Sequence, residues 1–234
     1  MFRFKQFSVD QTGCAMKINT DGVLLGALAN GNGVKSILDI GTGTGVIALM
    51  LAQRFTKATA DAIEIDEQAA ATAKANFAAS PFADRLNTYA ESFTAFFEQY
   101  PDNKYDLIVS NPPFHINSLT SPENKKKLAK HTDEYFFEQL LKIAAQHLTE
   151  KGTCWLILPL QTAQLVNIIA YQYNLNRQKK ISVLSYPDSL PHREILVLTL
   201  SETLEADGQF VIYAEQKVYS KEYQDKLKDF FTIF

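Results

Sequence analysis

The sequence has little of what staples small or metal-dependent proteins: among 234 residues there are two cysteines, four histidines and one tryptophan. Cys14 and Cys154 lie far apart and outside any C-x-x-C spacing, which argues against a disulfide framework and a cysteine zinc site. His115, His131, His147 and His192 show no metal-ligand spacing, and neither G-x-S-x-G nor G-x-x-x-x-G-K-[ST] occurs, so no metal, serine elbow or P-loop is expected. No run approaches the roughly 18 apolar residues that span a bilayer, and the start, MFRFKQFSVDQ, lacks the apolar core of a signal peptide. The expectation is a cytoplasmic protein without membrane contact. An excess of one charge is missing too: 23 Lys plus Arg face 26 Asp plus Glu, a net charge of −3, so a polyanionic partner must be held by local patches.

What is present is the balance of a globular chain, 46% hydrophobic and 21% charged. No repeat and no Gly/Ser-rich or Pro-rich linker divides it, so a single domain is expected. Short β-branched runs stand at Ser36–Ile40, Ala60–Ile65, Tyr105–Ser110, Thr153–Leu158 and Glu194–Leu200, with a weaker one at Leu86–Tyr89. Between them, Gly45–Phe55, Glu67–Ala79, Asp133–Leu148 and Gln161–Tyr173 have helical period. Strands alternating with helices predict βαβ crossovers, and therefore a doubly wound, mostly parallel α/β sheet. Near the end, Arg177–Tyr186 and His192–Leu200 are separated only by a Pro-rich turn, which predicts an antiparallel edge hairpin. Gln209–Ala214 is a further strand candidate and Lys221–Phe231 a final helix. Residues 1–33 precede the alternation and are expected to cap a catalytic core of 34–234.

The segment Leu38-Asp39-Ile40-Gly41-Thr42-Gly43-Thr44-Gly45 joins the first strand to the first helix, where open α/β sheets bind ligands. A dinucleotide fingerprint would need its third glycine at position 46, which is Val46. The spacing present, G-x-G-x-G preceded by Asp39, resembles motif I of the class I S-adenosylmethionine-dependent methyltransferases, where the loop lies under the amino-acid part of the cofactor. Glu64 closes the next strand, 23 positions after Gly41, where a carboxylate can accept both ribose hydroxyls. Nicotinamide enzymes place an acid similarly, so Glu64 alone leaves an oxidoreductase open. Glu91 follows the weak strand; the resemblance implies a place near the adenine amino group, and a solvated helix-start acid is an equal reading. The resemblance thus implies a cofactor set of Asp39, Gly41, Gly43, Gly45, Glu64 and Glu91.

A buried strand, Asp106 to Ser110, then runs into Asn111-Pro112-Pro113-Phe114. The prolines fix φ and restrict the residue before them, so the strand stops and Asn111 is held extended at its carboxyl end. This element resembles motif IV, N-P-P-[YF], of methyltransferases acting on a nitrogen conjugated to a π system. Such an amine needs acceptors to orient its lone pair, which the Asn111 side-chain oxygen and the Pro112 carbonyl supply. Phe114 would offer a face to a base flipped out of its stack.

The choice among targets comes from the N-terminal block. Phe4-Lys5-Gln6-Phe7, Cys14-Ala15-Met16-Lys17 and Thr20-Asp21-Gly22-Val23-Leu24-Leu25-Gly26, with Ser80-Pro81, Lys130-His131-Thr132 and Pro191-His192-Arg193, resemble the bacterial tRNA1(Val) (adenine-37-N6)-methyltransferase family over nearly the whole chain. That resemblance implies an enzyme with a seven-stranded Rossmann-like sheet, S-adenosylmethionine as methyl donor and adenine N6 of a tRNA as acceptor; a monomer is expected. It also implies that Thr20 and Asp21 lie near the cofactor and Lys17 in the adjacent cap. Phe114 followed by His115 gives N-P-P-F-H, a form shared with rRNA guanine-N2 enzymes. That target, protein glutamine-N5 and a non-catalytic RNA-binding module stay open. Lys125, Lys126, Lys127, Lys130 and His131 are candidates to clamp tRNA phosphates, with Arg177, Lys179 and Lys180 as a second patch.

Overall fold

The computed structural model describes residues 1–112 and 122–234, the side chains of 122–133 excepted. The elements in chain order are β1 (Phe2–Arg3), β2 (Ser8–Val9), α1 (Thr20–Leu28), β3 (Ser36–Ile40), α2 (Val46–Arg54), β4 (Thr59–Glu64), α3 (Glu67–Ala78), β5 (Leu86–Ala90), α4 (Phe93–Gln99) and β6 (Tyr105–Ser110). They continue with α5 (Pro122–His147), β7 (Leu148–Leu158), α6 (Leu160–Gln172), β8 (Asn176–Leu184), β9 (Pro191–Thr199), β10 (Ala206–Val211), β11 (Tyr213–Glu215), β12 (Val218–Tyr219) and α7 (Lys221–Leu227).

The central sheet runs β10-β8-β9-β7-β6-β3-β4-β5. Strands β3 to β7 pair in parallel, and β9 is antiparallel to both β7 and β8. This is the doubly wound plan with its reversed hairpin, extended by an eighth strand beyond the expected seven. Because β10 pairs in parallel with β8, the hairpin is internal rather than the edge. The outer strand is Ala-Asp-Gly-Gln-Phe-Val and mostly exposed, with Phe210 alone buried in the first core; its polar residues complete the ladder and discourage further edge pairing.

Side chains alternate between the two faces. On β6, Leu107 and Val109 join a core with α1, α2 and α7, while Ile108 joins a second core with α4, α5 and α6. On β7, Trp155 and Ile157 face the first and Cys154, Leu156 and Leu158 the second. Trp155 is a core residue whose Nε1 donates to the Asn30 carbonyl at 3.1 Å.

Helix α1 carries no periodic signal in the sequence, because Gly22 to Ala27 are all buried and leave no polar face to mark a period. Gly22 and Gly26 let it lie close on α2: a Cβ on Gly26 would stand 2.9 Å from the Met50 sulfur. Its final carbonyls, those of Gly26 and Ala29, accept from Arg54 Nη1.

Candidate active site

The glycine loop, Asn111 and the first turn of α1 meet at the carboxyl edge of the parallel strands. Gly41, Gly43 and Gly45 all take positive φ, at 73°, 56° and 82°. A Cβ on Gly41 or Gly43 would meet nothing within 4 Å, so these two glycines border open space over the sheet edge. Gly45 differs: a Cβ there would stand 2.4 Å from Phe77 Cε1, so this glycine lets α3 close against the loop.

Asp39 braces the loop from below. It is fully buried, and its Oδ2 accepts from Thr42 Oγ1 at 2.6 Å and from the Ala48 amide at 3.2 Å. Its Oδ1 is buried without a partner among the described residues. Burial raises its pKa to about 7 against the hydrogen bonds from Thr42 and Ala48 that lower it. Glu64, at the end of β4, accepts from the Gly43 amide at 2.9 Å through Oε2 and from the Asp66 amide at 3.0 Å through Oε1. Each oxygen retains a lone pair, so the carboxylate is already oriented and still able to accept hydroxyls. Glu91 lies beyond β5 and accepts from Gln99 Nε2 at 2.6 Å.

Asn111 follows β6 and is 8% exposed, yet its Oδ1 is buried with no hydrogen-bond partner among the described residues. Its amide nitrogen lies 3.6 Å from where a Cβ on Gly22 would be. Asn111 is therefore packed against the start of α1, which Asn19 caps by accepting from the Gly22 amide at 2.9 Å. Thr20 is exposed in that first turn. Asp21 is buried and accepts from Arg193 Nε, at the start of β9, at 2.8 Å.

Pro113 and Phe114 lie outside the described residues. Lys125, Lys126, Lys127, Lys130 and His131 fall on α5, in the stretch whose side chains are outside the description. Of the second basic patch, Arg177 and Lys180 pair with Glu205 and Asp207 at the start of β10, so their charge is locally balanced, and Lys179 is exposed. Arg177 stands at the amino end of β8 and Lys180 at its middle.

Two positions carry no signal of their role in the sequence. Asn76, buried on α3, donates to the Thr44 carbonyl of the glycine loop and to the Asp10 carbonyl, and accepts from the Asp10 amide at 2.8 Å. It ties the N-terminal segment to the loop. Arg193 stands in the sequence only as part of Pro191-His192-Arg193, whereas the structure makes it the ion-pair partner of the cap helix.

A doubly wound sheet with a reversed hairpin, a braced G-x-G-x-G loop and an Asn-Pro at the end of β6 defines a Rossmann-like methyltransferase. The family described as "Methyltransferase small domain" matches residues 19–184. A predicted O-methyltransferase from Agrobacterium tumefaciens superposes with a TM-score of 0.70 at 16% identity, covering 90% of this chain and 96% of that one. The tRNA1(Val) (adenine(37)-N6)-methyltransferase of Pedobacter heparinus is 50% identical over 233 residues, 100% of this chain and 98% of its relative. Its counterpart from Bacteroides thetaiotaomicron is 41% identical, over 98% and 96%. The chain belongs to the tRNA1(Val) (adenine(37)-N6)-methyltransferase family.

Proposed function

We propose that this protein methylates N6 of adenine 37 in tRNA1(Val), with S-adenosylmethionine as donor, residues 34–234 forming the catalytic unit and 1–33 its cap. The observation that carries the reading is the Asn111 side-chain oxygen, buried and, among the described residues, unpartnered beside the glycine loop. A buried acceptor left open costs free energy unless a ligand donor completes it.

The residues at the sheet edge fit such a donor molecule. Gly41 and Gly43 leave space that any side chain would fill, and Glu64 is held with acceptor capacity toward that space. Asp39 fixes the loop, while Thr20 and Asp21 lie in the turn of α1 that abuts Asn111. When bound, S-adenosylmethionine supplies an electrophilic methyl group. On the acceptor side, Asn111 Oδ1 takes one N–H of the exocyclic amine and the Pro112 carbonyl takes the other. This turns the nitrogen lone pair out of conjugation and stabilises positive charge developing on it. No strong base is needed first, and the proton leaves after transfer. Phe114 would stack on the extracted base, and the lysines of α5 would meet backbone phosphates.

The test is transfer of labelled methyl to RNA from cells lacking this gene, with nucleosides identified by mass. Label is expected in N6-methyladenosine of the tRNA fraction. Asn111→Ala should lower kcat roughly 100- to 1,000-fold, as loss of a preorganised polar partner does elsewhere. Label in N2-methylguanosine of ribosomal RNA, or in protein glutamine, would overturn the assignment of the target.

A further inference from the structure

A row of tyrosines stands at the same edge of the sheet, unused by the chemistry above. Tyr223 and Tyr219 stack with ring centroids 4.7 Å apart and 6° between planes, and Tyr219 and Tyr213 at 5.0 Å and 22°. Tyr213 then meets Tyr186 at 5.6 Å and 33°. The ladder begins in the core, where Tyr223 is buried, and ends in solvent, where Tyr186 is 39% exposed. The inner rings each have neighbours on both sides. Among the described residues, Tyr186 makes a ring contact only with Tyr213, so the ladder of rings ends at this partly exposed residue.

This end is also rigid. Tyr186 sits in the turn between β8 and β9, where its amide donates to Ser189 Oγ at 3.0 Å and its carbonyl accepts from both the Ser189 hydroxyl and the Ser189 amide. Pro187 and Pro191 restrict the same turn. A ring held this way loses little entropy when another ring stacks on it. Beside it, Leu190 is 88% exposed, giving the turn an apolar tip.

Its position points to an occupant. The turn follows β8 at the carboxyl edge, the edge that carries Asn111; the order β8-β9-β7-β6 sets the two three strand spacings apart, and the register puts Ser110 level with Lys180, so Tyr186 also stands further out along the strands and the separation is on the order of 20 Å. Arg193 and the first turn of α1 lie between them. A polynucleotide whose target base sits at Asn111 reaches this turn within a few nucleotides along the sheet edge.

We propose that Tyr186 is a stacking platform for an unpaired base of the RNA substrate, a few nucleotides from the methylated adenine. The inference rests on the RNA-methylation reading. A base on Tyr186 would continue the tyrosine ladder, a sequence-tolerant contact of the kind by which proteins grip single-stranded nucleic acid. This adds substrate grip at a site that does not touch the reacting atoms.

Steady-state kinetics and equilibrium RNA binding on Tyr186→Ala, Tyr186→Phe and Tyr186→Trp test it, with tRNA1(Val) as substrate. Tyr186→Ala should raise both KM and Kd for the RNA by roughly 5- to 150-fold, the range for loss of one stacked base. Its KM for S-adenosylmethionine and its melting temperature should stay near wild type. Phe and Trp should restore RNA binding. A 2-aminopurine placed near the target should be quenched by wild type, Phe and Trp, and not by Ala. Unchanged RNA affinity in Tyr186→Ala with an active wild type overturns this inference alone. Failure of the wild type to methylate any RNA overturns the reading beneath it as well, and Asn111→Ala, which should bind RNA while inactive, separates the two.

Discussion

Asp39 shows how one residue couples the fold to the site. Its pKa moves from an ordinary value of 3.8 to about 7 because burial penalises the charge. Folding thus favours the protonated form, and the stability this contributes is full below about pH 4 and lost as pH rises through about 7. Asp39→Asn keeps an acceptor for Thr42 and Ala48 without the charge. Its melting temperature relative to wild type is expected to climb between about pH 4 and pH 7 and then level off; a flat difference across that range would contradict the shift. Gly45 gives a steric prediction. With φ at 82° and Phe77 Cε1 only 2.4 Å from where an alanine Cβ would stand, Gly45→Ala should cost on the order of 2–4 kcal/mol in denaturant unfolding. Adding Phe77→Leu should recover the packing part and leave the left-handed strain.

Helix α1 is fixed at both ends by arginines distant in sequence. Arg193 holds Asp21 in the first turn, and Arg54 takes the carbonyls of the last. Arg193→Ala leaves a buried carboxylate uncompensated, so a loss of about 3 kcal/mol or more is expected, with kcat falling because the turn beside Asn111 loosens. Chemical denaturation together with single-turnover rates would check both. Arg177→Gln removes a partly exposed pair with Glu205 and should change stability by no more than about 1 kcal/mol, with RNA affinity unaffected in a filter-binding assay. The contrast marks what sequence can carry. The glycine loop and Asn-Pro-Pro are legible because their geometry is imposed by residues next to one another in the chain. Asn76, Asn19 and Arg193 are not, because their roles arise only when the fold brings Asp10, Thr44, Gly22 and Asp21 to them. Helix α4 is too short to show a period, and β10 begins with polar residues that pair without being buried.

At the scale of the molecule, the alternation of strands and helices is enough to read the central parallel strands, while the Gln209–Ala214 run announces only the second half of the eighth strand, whose start, Ala206 to Gly208, has no hydrophobic pattern. Closure across the structure is likewise long-range: β1 and the segment after it meet the last residues through a Phe4–Phe231 bridge and through Lys5, whose Nζ donates to the Lys228 and Phe234 carbonyls. Phe231→Ala should loosen both segments together, seen as faster amide exchange over residues 2–9. The insertion of β9 between β7 and β8 bears on how the chain reaches this state. When β8 is synthesised, the place beside β7 belongs to a strand that comes later, so β8 cannot zip onto the growing sheet in sequence order. The low-entropy route is to close the short Tyr186–Leu190 turn first and to dock β8 and β9 as a pair, β10 following. Folding then proceeds from the centre outward in two stages, and the turn that carries Tyr186 becomes a nucleus for the second. Lengthening it with glycines should slow refolding far more than it speeds unfolding.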